Sequence, residues 1–355
     1  MTPVRSAAVV MAAGACLAFT PVGASAPGHE TLQQLLTQQL ELNARQVDRL
    51  RRGEVVVRDV QSPVTRQIGV AGAVRIDAPA ARTVDLVRDI ERLERGKGFL
   101  ATRKISEPPT LADFSDFDLP AEDVQALRAC RVDDCDVKLG LPMLGELEAV
   151  DWSAPDASEV VRRLTRRRSL EYLERYRAGG NAALAVYRDQ EHPVAIAREF
   201  AEMVEGAAGL TSAFPEVARY LLSYPRHRPW PVEDFYYWSL ANFGLKPVYR
   251  LNHVVIHPSG DQTGLLYTIT TKQLYASHYF HAALEVRALV DDPDRPGRRH
   301  YLLVLNLARS DGLTGLFGGI VRRRVRSGAR TALQTALANT RTRVETAPQG
   351  LPPPR

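Results

Sequence analysis

The residues able to do chemistry in this chain fall into a few local groups. His253 and His257 lie four apart on an expected strand and share a face, because side chains alternate along a strand, whereas His278 and His281, three apart, do not. Two imidazoles with a carboxylate such as Asp261 could hold a metal. No HExxH or comparable helical spacing accompanies them, so no metal is assigned. As acid/base groups the candidates are His253, His278 and Tyr279. Ser239, Ser277 and Ser310 are hydroxyls with nothing local to orient them as nucleophiles. Asp113-Phe-Ser-Asp-Phe-Asp118 offers three acids in six residues, but it lacks the glycine turn and later glutamate of a calcium loop and reads as a helix-capping loop before Pro120. Gly312 to Gly319 is glycine-rich, follows polar Ser310-Asp311 and lacks the lysine of a phosphate loop. With no GxSxG or dinucleotide fingerprint either, no cofactor is implied and nucleotide chemistry is disfavoured.

Cysteine usage points to a compartment. Arg5 precedes an apolar run from Ala7 to Phe19, too short to span a bilayer; Pro21 and Gly23 break it, and Ala24-Ser25-Ala26 supplies small residues for a peptidase. Residues 1–26 thus read as a cleavable signal for export to the periplasm or medium. Lipidation at Cys16 is the competing expectation, weakened by the missing leucine three residues before it. The other cysteines, Cys130 and Cys135, lie close together, and in an oxidising compartment a structural disulfide is expected, with metal or redox use as the alternatives.

The remaining composition, 45% hydrophobic and 25% charged, is globular. Net charge is +5, concentrated in Arg162 to Arg168 and Arg322 to Arg330. Such runs attract anionic head groups, making Arg322, Arg323 and Arg324 a candidate peripheral contact with an anionic membrane. Nucleic acid, the reflex partner of a basic chain, is not expected outside the cell's interior. Cations near a helix start also oppose its dipole, which a solvated surface tolerates and an acidic ligand relieves.

Periodicity supplies the elements that must position these groups. Leucines at helical spacing predict a helix over Thr31 to Arg52, ended by Gly53. Glu54 to Val60 and Gln67 to Ile76 predict a hairpin turning at Ser62-Pro63, and Asp77-Ala-Pro79 starts a helix to about Glu94. From Gly96 to about Phe243 the signals are helix and loop: a short helix after Pro120, a long one from Ala154 to Arg177, and others over 194–206, 215–223 and 232–242. After Gly244 four strands follow, Pro247 to Ile256, Gly264 to Leu274, His278 to Val290 and Arg299 to Ala308, then one long helix from Leu316 to Glu345. Residues 347–355 read as a frayed, disordered tail.

An early strand pair, a helix directly after it, a late meander and a long final helix resemble the START-like, polyketide-cyclase (SRPBCC) superfamily. The resemblance is carried by Gly69-Val-Ala-Gly-Ala-Val-Arg-Ile-Asp-Ala-Pro-Ala80 and by residues 247–345. It implies an α+β fold, a curved antiparallel sheet of about six strands wrapped around the C-terminal helix in a helix-grip, with a mostly helical insertion at about 96–243 in a single domain over 27–346. It further implies periplasmic binding or transport of a hydrophobic, lipid-like molecule in an internal cavity. The polar handles on that cavity's wall would be Tyr236, Trp238, Tyr267, Tyr275, Tyr279 and Phe317 as an apolar partner. A cyclase or hydrolase on the same scaffold, or an envelope interaction protein, are the alternatives.

Overall fold

The computed structural model describes residues 27–242, 246–259, 264–310, 312–313 and 318–347. Residues 1–26, expected as an export signal and including Cys16, and also Asp261, Phe317 and the tail from 348 onward, lie outside these residues. Strands β1 (Val56–Val60), β2 (Gln67–Ile76), β3 (Phe99–Lys104), β6 (Glu233–Ala241), β7 (Val248–Pro258), β8 (Leu265–Ala276), β9 (Phe280–Asp291) and β10 (His300–Ser310) form one antiparallel sheet. Two-residue strands β4 (Val186–Tyr187) and β5 (Val194–Ala195) pair separately. The order is β1-β2-β10-β9-β8-β7-β6-β3, an open eight-stranded sheet with β1 and β3 at its edges.

The fold is therefore α+β with a large antiparallel sheet and a C-terminal helix, and the expected count of about six strands is corrected to eight. Both extra strands come from the segment expected to be a mostly helical insertion. Residues 232–242, expected as a helix, are β6, whose register runs from Glu233↔Ile256 to Ala241↔Val248. The physical reason is burial on both faces: Phe235-Tyr-Tyr-Trp238 has no polar side to betray its period, and a short apolar run reads equally well as helix or strand.

The helices are α1 (Pro27–Gln34), continued by a π-helical turn, α2 (Ala44–Arg51), α3 (Ala80–Arg88), α4 (Ile90–Leu93), α5 (Ala121–Ala129), α6 (Leu141–Glu148), α7 (Ala157–Gly179), α8 (Ile196–Glu205), α9 (Ala208–Ala213), α10 (Pro215–Ser223) and α11 (Gly318–Thr346). The single helix expected over Thr31 to Arg52 is two. Asn43 interrupts it, its side chain accepting from Gln46 N at 3.0 Å while Gln46 Oε1 accepts from the Asn43 backbone N–H.

Both sheet faces carry helices, and they do so unequally. Against one face, Leu333, Leu337 and Val344 of α11 pack with Val84 and Val87 of α3 on Val74, Ile76, Ile256, Ile269, Leu289 and Leu302. Gly72 lets this helix close in, since a Cβ there would meet Leu337 Cδ1 at 2.9 Å and Val56 O at 2.8 Å. The opposite face is covered along its length: by α1 and α2 over Ala71, Ala73 and Tyr301, by α8 to α10 over Leu284, Val286 and Leu307, and by α5 to α7 over Trp238, Tyr249, Leu251 and Val255. The helical middle segment thus lies on the face away from α11.

Candidate functional site

On the α11 side the strands place a row of polar side chains mid-sheet. Cross-strand register aligns Val70, Asn306, Glu285, Thr271, Val254 and Phe235, and beside them Arg287 aligns with Val304 and Ile269. Gln273, Asn252 and Tyr237 form the next row. His281 shares this face, because its neighbours Ala282 and Leu284 point into the opposite core. Arg287 Nη2 pairs with Glu285 Oε1 at 2.5 Å. At the far end Glu94, carried on the turn after α4, accepts from the Tyr237 hydroxyl (2.9 Å), Thr102 (2.9 Å) and Arg250 (3.1 Å). Burial and the neighbouring Glu94 carboxylate push the Tyr237 hydroxyl well above the ordinary phenol range, so it stays a donor.

Two features set this row apart from ordinary core. Asn252 is only 2% exposed, yet its Nδ2 has no hydrogen-bond partner, and Arg287 Nη1 is likewise buried without one. A buried donor without a partner costs roughly 1–3 kcal/mol. Secondly, Thr271, Ala283, Glu285, Arg287 and Asn306 are all part-exposed although they sit on central strands. Among the described residues, α11 has no fully buried side chain between Gly319 and Ala332, although Ala329 packs against the core of this face and the Nε atoms of Arg322 and Arg326 are buried. The arrangement offers a guanidinium, a carboxylate and an amide donor beside an apolar wall of Val70, Val254, Ile269 and Val304. Chemically, that suits one polar group attached to an apolar body.

The opposite face holds a second polar group, closed over by the helical segment. His253 Nδ1 lies 3.1 Å from the Tyr176 hydroxyl, and Lys272 Nζ donates to that same hydroxyl at 3.4 Å and to Asn181 Oδ1. Tyr176 therefore donates to Nδ1, and His253 carries its proton on Nε2, which faces Asp234 at 3.9 Å without a hydrogen bond. Tyr236 stacks on His253 at 4.7 Å, and Tyr224 and Tyr236 share a hydroxyl hydrogen bond of 2.5 Å. Asp234 also accepts from Tyr220 at 2.8 Å and lies 3.5 Å from Arg228. Burial drives Lys272 well below the usual amine range; burial, then Lys272 and Arg228, drive His253 well below the usual imidazole range. Both are buried, hydrogen-bonded core groups whose charged forms burial disfavours.

The residues expected from sequence are distributed as follows. Tyr236 and Trp238 are buried in the core under α7, where Tyr275 packs at its margin, together with His253. Trp238 Nε1 donates to Asp113 O (2.8 Å) and Tyr275 to Lys138 O (2.7 Å), so their polar atoms are spent on backbone. Of the expected aromatics among the described residues, Tyr267 lies part-buried on the α11 side. Tyr279, at positive φ in the β8–β9 turn, accepts from Lys246 N at 3.2 Å. His278 is buried beneath α5, its Nε2 3.0 Å from Asp123 Oδ1 and its Nδ1 3.0 Å from Asp136 O. Both ring nitrogens thus face oxygen partners, a tie between α5 and the β8–β9 turn. His278 and Tyr279 lie ring beside ring, centroids 5.7 Å apart, whereas His253 sits among Tyr176, Tyr224 and Tyr236, so the three do not form one group. His257 is separate again, its Nδ1 2.9 Å from Pro231 O.

Of the other groups, Asp113 caps its turn by accepting from Ser106 and Thr110, which holds its carboxyl below the usual range against its partial burial. Ser277 accepts from Tyr249 N and Ser239 from Arg250. Cys130 and Cys135 form a disulfide. No group of three or more metal-ligating side chains occurs among the described residues, and none of their helices is long and apolar enough to cross a membrane. A separate cleft of about 850 Å³ opens on the helical segment between Leu111, Val150 and Leu164, rimmed by Arg163, Arg167 and Asp151. No protein-family model matches the chain, and neither does any curated protein.

Proposed function

We propose that this chain binds an amphiphilic, lipid-like small molecule between the α11 side of its sheet and the first half of α11, as a binding or transport protein outside the cytoplasm. The scaffold is then a helix-grip of the START-like kind, with the sheet curving around α11 and the ligand filling the part of the face that α11 does not. The observation that carries this is the part-exposed row Thr271, Glu285, Arg287 and Asn306 on central strands, next to the unpartnered Asn252 amide. Arg287 would take an anionic or carbonyl head group, Asn252 would donate to it, and Val254, Ile269 and Val304 would line the apolar body. The Cys130–Cys135 disulfide suits an oxidising compartment.

Native mass spectrometry of the purified protein, followed by solvent extraction, tests the proposal. The expected result is a co-purifying amphiphile at one per chain, and delipidated protein that rebinds a fluorescent fatty acid. Arg287→Ala is expected to weaken that binding about tenfold, the worth of one charge-assisted hydrogen bond. Protein that purifies empty and ignores fatty acids, phospholipids and polyketides alike counts decisively against it.

A further inference from the structure

The first half of α11 has a second exposed face that no part of the sheet uses. Leu333, Leu337 and Val344 mark its packed side. On the other side Val321, Val325, Ala332 and Ala336 recur at spacings of four, seven and four, with Gly328 between them, and all are exposed. At about 100° per residue these positions form one stripe four turns long. Val321 and Val325 remain 39% and 40% exposed, and Ile320 71%. Arg322 and Arg324 flank the stripe on either side, with Arg323, Arg326 and Arg330 beyond, and no acidic residue occurs from Gly318 until Glu345. Arg330 has only Asp59, at 3.9 Å. Arg322, Arg323, Arg324 and Arg326 have no ion-pair partner among the described residues, and the buried Nε atoms of Arg322 and Arg326 lack any hydrogen bond. The first turn has no acidic residue, so among the described residues nothing offsets the opposition between these cations and the positive end of the helix dipole.

We propose that this face is a docking surface for an anionic phospholipid bilayer. The helix lies in the interface plane, Val321, Val325, Ala332 and Ala336 enter the acyl boundary, and the arginines reach up to lipid phosphates on both flanks. A shallow, convex stripe of small side chains, without a pocket or an aromatic anchor, fits a fluid surface rather than a protein groove. Phosphates at this end also supply the negative charge that the helix start lacks.

The test is vesicle co-sedimentation of the chain from residue 27 on, which holds every described element and omits the apolar leader. Binding is expected to vesicles of phosphatidylglycerol with phosphatidylcholine and not to phosphatidylcholine alone, and to weaken as salt rises. Each basic residue near an anionic surface is worth about a factor of five in partitioning, so replacing Arg322, Arg323 and Arg324 together by Gln lowers it about 100-fold. Val325→Asp lowers it while the salt dependence persists. Arg323, Arg324 and Val325 are exposed and Arg322 is part-buried, so circular dichroism and thermal melting are recorded for each variant. The double replacement of the exposed Arg323 and Arg324 by Gln, expected to bind about 25-fold more weakly, decides the case if the triple variant melts early. Equal binding to neutral vesicles, binding to none, unchanged binding of the triple variant, or binding to soluble polyglutamate in place of vesicles each overturns the proposal. None of these outcomes depends on what the sheet face holds.

Discussion

At the scale of single residues, Lys272 has the clearest thermodynamic consequence. Its side chain is fully buried against Phe200 and Tyr176, with Nζ 4.2 Å from the Phe200 ring centre and no carboxylate partner. Folding must strip its proton or bury a charge, and its amine is accordingly held well below the ordinary range. Because the folded value is depressed, the unfolded chain binds the extra proton, and stability rises with pH until the unfolded amine also deprotonates near about 10. Lys272→Met is therefore expected to stabilise the protein at neutral pH, by about 1 kcal/mol or more, as apolar replacement of buried charged groups often does. The gain should shrink as pH approaches about 10. Urea unfolding of both proteins across pH measures it, and a parent curve parallel to that of the variant would remove the claim. His253 and His300 act in the same sense on the acid side, both depressed chiefly by burial. Stability is lost as pH falls below about 6.5, where the unfolded imidazoles gain protons that the folded ones refuse.

At the scale of elements, Gly72 and Gly328 make opposite demands. Gly72→Val drives a side chain into Val56 O and Leu337, and the crowding of α11 against β2 is expected to cost about 2–3 kcal/mol in chemical denaturation. Gly328→Ala, mid-helix with nothing within 4 Å of the new Cβ, should gain about 0.5–1 kcal/mol. The meander and α11 were legible in the sequence because turn residues such as Asp292-Pro293 and Pro296-Gly297 separate long alternating runs, and helical spacing follows. β6 was not legible, since both its faces are apolar and buried, nor was β3, a short edge strand with Arg103 and Lys104. The polar row was illegible for a different reason. Glu285 and Arg287 alternate with Leu284, Val286 and Ala288, which in one strand is the signature of a solvent face, and only the register against Asn306 and Thr271 shows them mid-sheet. Tyr236, Trp238 and Tyr275, expected on a cavity wall, pack in and at the margin of the core beneath α7.

At the scale of the whole molecule, the sheet is sealed unevenly, and this asymmetry should be visible in its dynamics. One face is covered by three successive groups of helices, whereas among the described residues the other is closed by α3, α4 and α11 from about Ala329 onward. Local opening is cheapest where few apolar contacts must break, so protection should not be uniform along α11 although it is one continuous helix. Amides of residues 318–330 are expected to exchange fastest, those around Leu333 to Val344 at an intermediate rate, and those of β7 to β10 only on global unfolding. Trypsin under native conditions should accordingly cut first after Arg322, Arg323, Arg324 or Arg326, and Arg49, Arg75 or Arg287 should resist. Uniform protection from Gly318 to Val344 would mean that the first half of α11 is packed after all. In that case the open row at Glu285 and Arg287 loses its cause, and with it the place proposed for an amphiphile.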